Sequence, residues 1–218
     1  MCFSATASFT AAGVTGAIGL VCLTRVNRPR ESLLAATPLL FALQQAIEGA
    51  LWLVLPDAPH GPAAQGLTVL YLILAQVFWP LYAPVAVILT EVDRSRRRAM
   101  LAALAIGAAV SAYLLWRLIA GPHGAVLMDD HIVYVTRRRH TRLVALAYLT
   151  ATCAPLLLSS LKSVVALGAV VMVGSVVAYV AYWHAFQSVW CFFAAAGSLL
   201  LLAHFQFVRA PRRRPAVA

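Results

Sequence analysis

The chain has 218 residues, 62% of them apolar and 11% charged, with a mean hydropathy of +0.85 and a formal net charge of +10. Several apolar runs exceed 18 residues, and a soluble domain of this length has no core deep enough to bury them, so the bilayer is expected to be the solvent. The basic residues stand in short loops and at the carboxyl end, which points to membrane topology and contact with membrane lipids and away from nucleic acid.

A first apolar span is expected over residues 5–24. No basic residue precedes it, and Arg25, Arg28 and Arg30 follow it. It therefore reads as a retained span with its amino end outside, and not as a cleaved signal peptide. Ala12, Gly13, Gly16, Ala17 and Gly19 give it a small-residue face on which a neighbouring backbone can pack closely. The second span, 33–55, carries Gln44, Gln45 and Glu48 in its outer half and Trp52 near its end, and it closes in a loop without Lys or Arg. In the third span, 66–90, Pro80 and Pro84 flank Tyr82 just after Trp79. Each proline frees a carbonyl one turn back and bends the helix.

Arg94, Arg96, Arg97 and Arg98 separate this span from a fourth over 100–120, where Gly107 and Ser111 form a further close-packing pair. The 121–140 loop is the longest. Two short extended pieces around Asp129 and Asp130 predict a small β-hairpin before helix five, lying over one mouth of the bundle. A fifth span, 142–160, is interrupted at Pro155. Residues 163–208 contain no proline and no Asp, Glu, Lys or Arg, a stretch too long for one crossing of about 30 Å. It divides most naturally near 183–187, its most polar and aromatic point, into spans six and seven.

The fold class expected is therefore an all-α integral membrane protein. Residues 1–208 form a single seven-helix bundle, and 209–218 form a basic cytoplasmic tail. Seven crossings with the amino end outside place 12 of the 17 basic residues on one side, which the positive-inside rule makes cytoplasmic. Arg117, Arg137, Arg138, Arg139 and Arg142 dissent. The implied location is a cytoplasmic membrane crossed several times.

Glu48 is the only carboxylate placed inside a span. A charged residue at a helix centre costs roughly 2.5–3.5 kcal/mol on insertion scales, so Glu48 is expected to face protein, water or ligand. It shares a helix face with Phe41, Gln45 and Trp52, with Gln44 one turn below, and sits about 10 Å beneath the outer end of its helix. Three readings stand open for it: an interhelical hydrogen bond, a proton-transfer group, or a partner for an ion or cationic ligand. Its candidate ligand-binding companions are Gln44, Gln45, Trp52, Trp79, Tyr82, Tyr179 and Tyr182. Cys2 is a candidate nucleophile beside Glu48 as general acid or base, because loss of Met1 exposes an amino-terminal amine and thiol on one residue. Cys2, Glu48, His184 and Cys191 all fall in the outer half and make a candidate metal set. Cys2 and Cys191 are alternatively two buried small residues, or a disulfide pair.

Missing features narrow the field. Lys162, the only lysine, lies in a cytoplasmic turn, which leaves no retinal Schiff base inside the bundle. The sequence has no His-x-x-x-His or His-Glu-x-x-His, no Gly-rich phosphate loop for a nucleotide, and no Gly-x-Ser-x-Gly. The leading expectation is binding of a small molecule or metal ion, for sensing or transport, at the Glu48 site. An intramembrane enzyme acting on a lipid or isoprenoid is the alternative, and a third reading is an accessory subunit that packs against another membrane protein or a second copy.

Four strings also carry a resemblance: Met-Cys-Phe-Ser-Ala at the start, Gln44-Gln45-x-x-Glu48-Gly49-x-x-Trp52, Phe78-Trp79-Pro80, and Ser188-Val-Trp-Cys-Phe-Phe193. Together they resemble a family of uncharacterised bacterial multi-pass membrane proteins known as a domain of unknown function. The resemblance extends along essentially the whole chain. It implies a bacterial integral membrane protein and brings no activity with it.

Overall fold

A computed structural model describes residues 4–128, 131–136, 142–181 and 186–208. Helix α1 (Ala5–Thr24) begins where the Ser4 hydroxyl accepts a hydrogen bond from the Ala7 amide at 3.2 Å, which satisfies an otherwise orphaned donor of the first turn. Helix α2 (Ser32–Val54) runs back beside it. Phe9 meets Gly49, Gly16 meets Ala42 and Gly19 meets Leu39 along their seam. A β-carbon on Gly19 would stand 2.5 Å from Leu39, whereas Gly13 faces open space. Of the expected small-residue face, Gly16 and Gly19 carry the contact.

The third expected span is one continuous rod with a changed pitch. Helix α3 (Pro62–Leu72) passes through a π-helical turn, Ile73–Phe78, into α4 (Trp79–Ile88). Pro80 has no N–H to return to the preceding turn, and a wider turn with carbonyls open to outside donors is the local solution. Those donors come from two other helices. The Tyr148 hydroxyl donates to the Ala75 carbonyl at 2.5 Å, and the Ser111 hydroxyl donates to the Val77 carbonyl at 2.7 Å. Helix α5 (Arg94–Ala120) approaches closely enough that a β-carbon on Gly107 would collide with the Pro80 carbonyl oxygen. Gly107 and Ser111 thus form a pair as expected, one giving room and the other a hydrogen bond.

Strands β1 (His123–Met128) and β2 (His131–Thr136) pair antiparallel, with Met128 opposite His131 and His123 opposite Thr136. The expected hairpin is present. Ala125 and Ile132 are buried in one apolar cluster with Ile47, Leu51, Leu55, Ala64 and Tyr71, so the sheet caps the end of the bundle where α2 finishes and α3 begins. Helices α6 (Arg142–Leu157), α7 (Lys162–Ala181), α8 (Phe186–Ala196) and α9 (Ser198–Ala203) follow, and α9 continues into a π-helical turn, His204–Val208.

Seven spans were expected. Among the described residues, five helical stretches are long and apolar enough to cross a membrane: Ala5–Thr24, Pro29–Val54, Pro62–Ile88, Arg94–Ala120 and Lys162–Ala181. Arg142–Leu157 and Ser198–Phe207 are shorter apolar helices. The shortfall has local causes. Helix α6 stops two residues after Pro155, and the last expected span is broken at Gly197 between α8 and α9. Large apolar side chains such as Ile119, Leu143, Val180 and Phe207 stand exposed on the outer surface, a distribution suited to lipid and not to water.

Candidate functional site

Helix α2 places Gln44, Gln45 and Glu48 in the interior. All three are buried, Gln44 and Glu48 completely. Gln44 joins two other helices. Its Oε1 accepts from Trp79 Nε1 at 2.7 Å, and its Nε2 donates to Cys191 Sγ at 2.8 Å. Indole N–H is a donor only, so Trp79 fixes which end of the amide faces it and the NH2 end turns to sulfur. Cys191 also lies within hydrogen-bonding reach of Tyr71 and within electrostatic range of Glu48. The sequence grouped Gln44 and Trp79 with Glu48 as ligand-binding candidates and Cys191 with Glu48 as metal candidates, and the fold brings all four into one polar layer contributed by α2, α4 and α8. Tyr71 of α3 belongs to the same layer.

Around and beyond Glu48, several buried polar atoms have no hydrogen-bond partner among the described residues. They are both side-chain atoms of Gln45, the Trp52 indole N–H and the Ser8 hydroxyl. Gln45 and Trp52 are seven residues apart on α2, two turns along the same face as Glu48. Above this group Tyr71 and Tyr134 stack face to face, with ring centroids 4.3 Å apart and planes within 4°. Tyr134 comes from β2, so the hairpin closes this end of the polar layer.

On the other side of Gln44 lies an apolar cavity of about 60 Å³. Its walls come from α2, α4, α6, α7 and α8, and include Phe41, Trp79, Tyr82, Leu167, Trp190 and Cys191. Phe41 stacks on Trp79 at 4.3 Å, and Tyr82 stands edge-on to Trp79 at 5.7 Å. The Tyr82 hydroxyl donates to the Leu33 carbonyl at 2.5 Å, so its polar end is fixed at the far side of the cavity. Trp79 and Cys191 are thus shared between the apolar cavity and the polar layer. Glu48, Gln45 and Trp52 do not line that cavity.

The remaining expected residues divide plainly. Tyr179 is 54% exposed on α7 and stays outside the cluster. Cys2, Tyr182 and His184 lie outside the described residues, as do Arg137, Arg138 and Arg139. Cys22, Cys153 and Cys191 are free, buried thiols. Among the described residues no three His, Cys, Asp or Glu side chains converge on a metal-sized site, and of the candidate metal set only Glu48 and Cys191 are placed, close to one another. Tyr134 and Ile132 were absent from the sequence-based site. Their signal was the period-2 alternation of β2, which turns both to the same face of the hairpin.

Residues 1–216 match the family described as "Family of unknown function (DUF6629)". The chain belongs to that family. Neither the curated proteins nor the solved structures contain a match to it. Membership in DUF6629 agrees with the resemblance drawn from the four sequence strings. It assigns no chemistry to the polar layer, which leaves the geometry to speak for the family's activity.

Proposed function

We propose that this member of DUF6629 is a seven-span protein of the bacterial cytoplasmic membrane that binds a small hydrogen-bonding molecule beside Glu48, between Gln45 and the hairpin. The amino end is outside and the carboxyl end cytoplasmic. Helix α6 reaches about 24 Å, a deficit that local bilayer thinning accommodates, and α8 with α9 supplies the seventh crossing.

The observation that carries the binding reading is Gln45. A buried amide with neither end answered by the described protein is costly, about 1–3 kcal/mol per unsatisfied group, and such groups ordinarily meet ordered water or a ligand. Trp52 Nε1 and Ser8 Oγ add a donor and a donor-acceptor in the same half of the bundle. Glu48 supplies the charge or proton that selects the occupant, and a compact ammonium group or a metal ion satisfies it when it is ionised. The chemistry fits sensing or transport of such a molecule.

The test is chemical analysis of protein purified in mild detergent. Wild type is expected to release a stoichiometric small molecule or metal on denaturation, and Glu48→Gln is expected to release less than a tenth as much. Equal amounts from both proteins, or nothing from either, contradict the proposal.

One observation favours a second reading. The apolar cavity ends on Trp79 and Cys191, one side chain away from Gln44 and Glu48. A lipid or isoprenoid tail in that cavity would bring its polar end to the layer, where Glu48 serves as general acid or base and Cys2 as nucleophile. Turnover of an isoprenoid substrate lost in Glu48→Gln, with the bundle intact, distinguishes this enzyme from a binding protein.

A further inference from the structure

The end of the bundle opposite the hairpin holds a feature independent of the Glu48 layer. Where α6 ends and α7 begins, a crevice of about 350 Å³ is lined by Arg96, Ser159, Ser160, Lys162 and Val165. The two cations come from different helices, Arg96 from the first turn of α5 and Lys162 from the start of α7. Arg96 is held in place. Its Nη1 donates to the carbonyls of Leu158 at 2.9 Å and Ser159 at 3.2 Å, satisfying the end of α6. Among the described residues Nη2 and Nε make no bond, so a fixed guanidinium faces the crevice with donors in reserve.

The nearby carboxylates already have partners, and Glu91 is bonded to Ser160 of the crevice lining itself. Glu91, 5% exposed, accepts from the amides of Val92, Asp93 and Ser160 and from the Ser160 hydroxyl, at 2.7–3.0 Å. Asp93 caps α5 by accepting from the Arg96 amide at 2.8 Å. Arg96 and Lys162 are the cations that line the crevice, and Arg94, Arg97 and Arg98 add positive charge to the same end of α5. The crevice lies at the boundary where α5 and α7 start. Basic pockets between helices at this depth suit phosphate-bearing head groups, and guanidinium recognises phosphate oxygens by paired hydrogen bonds.

We propose that the Arg96–Lys162 crevice binds a phosphate group, that of an anionic lipid headgroup in the adjoining leaflet. Arg96 gives orientation, Lys162 gives mobile charge, and the start of α7 adds its partial positive end. The crevice does more than set topology, because its cations converge on one volume while Arg25, Arg28 and Arg30 line a different connection.

Native mass spectrometry of the full chain in neutral detergent tests this. Phosphatidylglycerol and phosphatidylcholine with identical tails are added in parallel. Wild type is expected to retain phosphatidylglycerol preferentially. Lys162→Gln is expected to weaken that retention about fivefold, the effect of about 1 kcal/mol per basic residue near an anionic surface, while Arg30→Gln leaves it unchanged. Both side chains are exposed, and unchanged melting of both variants excludes misfolding as the cause. Displacement of the lipid by millimolar inorganic phosphate assigns the crevice to a free phosphate group, and resistance to displacement assigns it to the lipid; either result upholds phosphate recognition. Equal retention of the two lipids, or equal weakening in Lys162→Gln and Arg30→Gln, overturns it.

Discussion

Gln44 and Gln45 are neighbours in sequence, and their environments predict opposite responses to the same kind of substitution. Gln44 answers Trp79 on one side and Cys191 on the other. Gln44→Leu leaves the Trp79 N–H buried without an acceptor, and a loss of about 1–3 kcal/mol is expected. A fall in the thermal midpoint of the detergent-solubilised protein measures it, and an unchanged midpoint would remove Gln44 from the architecture. Gln45 has no such bonds among the described residues. Gln45→Met keeps the volume while removing the unsatisfied atoms, so the ligand-free protein is expected to melt at the same temperature or higher, and ligand-induced stabilisation is expected to disappear. Both glutamines are visible in the sequence as polar residues in an apolar run. Their division of labour was not, because it depends on which helices face each side chain.

At the scale of elements, the π-helical turn before Trp79 is the device that positions the site. Its prolines were legible, and so was the close approach of Gly107; the hydroxyls that answer the open carbonyls, Tyr148 from α6 and Ser111 from α5, required the packing to be known. Gly107→Ala forces α5 away from the Pro80 carbonyl. Overpacking of this kind costs about 1–3 kcal/mol, and the displaced α4 is expected to disturb the Trp79–Gln44 bond as well, seen as a shift in tryptophan emission. A midpoint and emission equal to wild type would mean that α5 sits farther off.

The α4–α5 connection makes a separate prediction. Burial alone would raise the pKa of Glu91, but hydrogen bonds from Asp93, Ser160 and Val92 overcome it and hold the carboxyl below its ordinary value of 4.5. The unfolded chain therefore takes up a proton before the folded one does. The stability supplied by Glu91 is fully present above pH 4.5, and it declines as the pH falls from there through the lowered folded-state value. Glu91→Gln is expected to destabilise the protein at pH 7 and to differ progressively less from wild type below pH 4.5. A gap that stays constant with pH would show that the carboxylate charge is irrelevant to the lock between Glu91 and Ser160.

For the whole molecule, helical content, the apolar spans and the hairpin all follow from runs, prolines and alternation in the sequence. Two of the seven expected spans were harder to assign, since α6 is short and the final rod breaks at Gly197-Ser198, small residues of a kind that elsewhere in this chain sit inside unbroken helices. The site was half legible: a carboxylate in an apolar run announces itself, whereas the lid residue Tyr134 lies some 86 positions away in a strand whose alternation is readable but whose packing on Tyr71 is not, and the apolar cavity on the far side of Gln44 arises only when five helices meet. The proposed orientation rests on the placement of charge, and a compartment reporter fused to the carboxyl end is expected to read cytoplasmic; an external signal would invert the bundle. The most direct test of the central claim, that the layer around Glu48 exists to hold a small molecule, is native mass spectrometry of gently extracted wild type beside Gln45→Met. Wild type is expected to carry a discrete added mass that Gln45→Met, equally well folded, lacks. The same bare-chain mass for both would contradict the account.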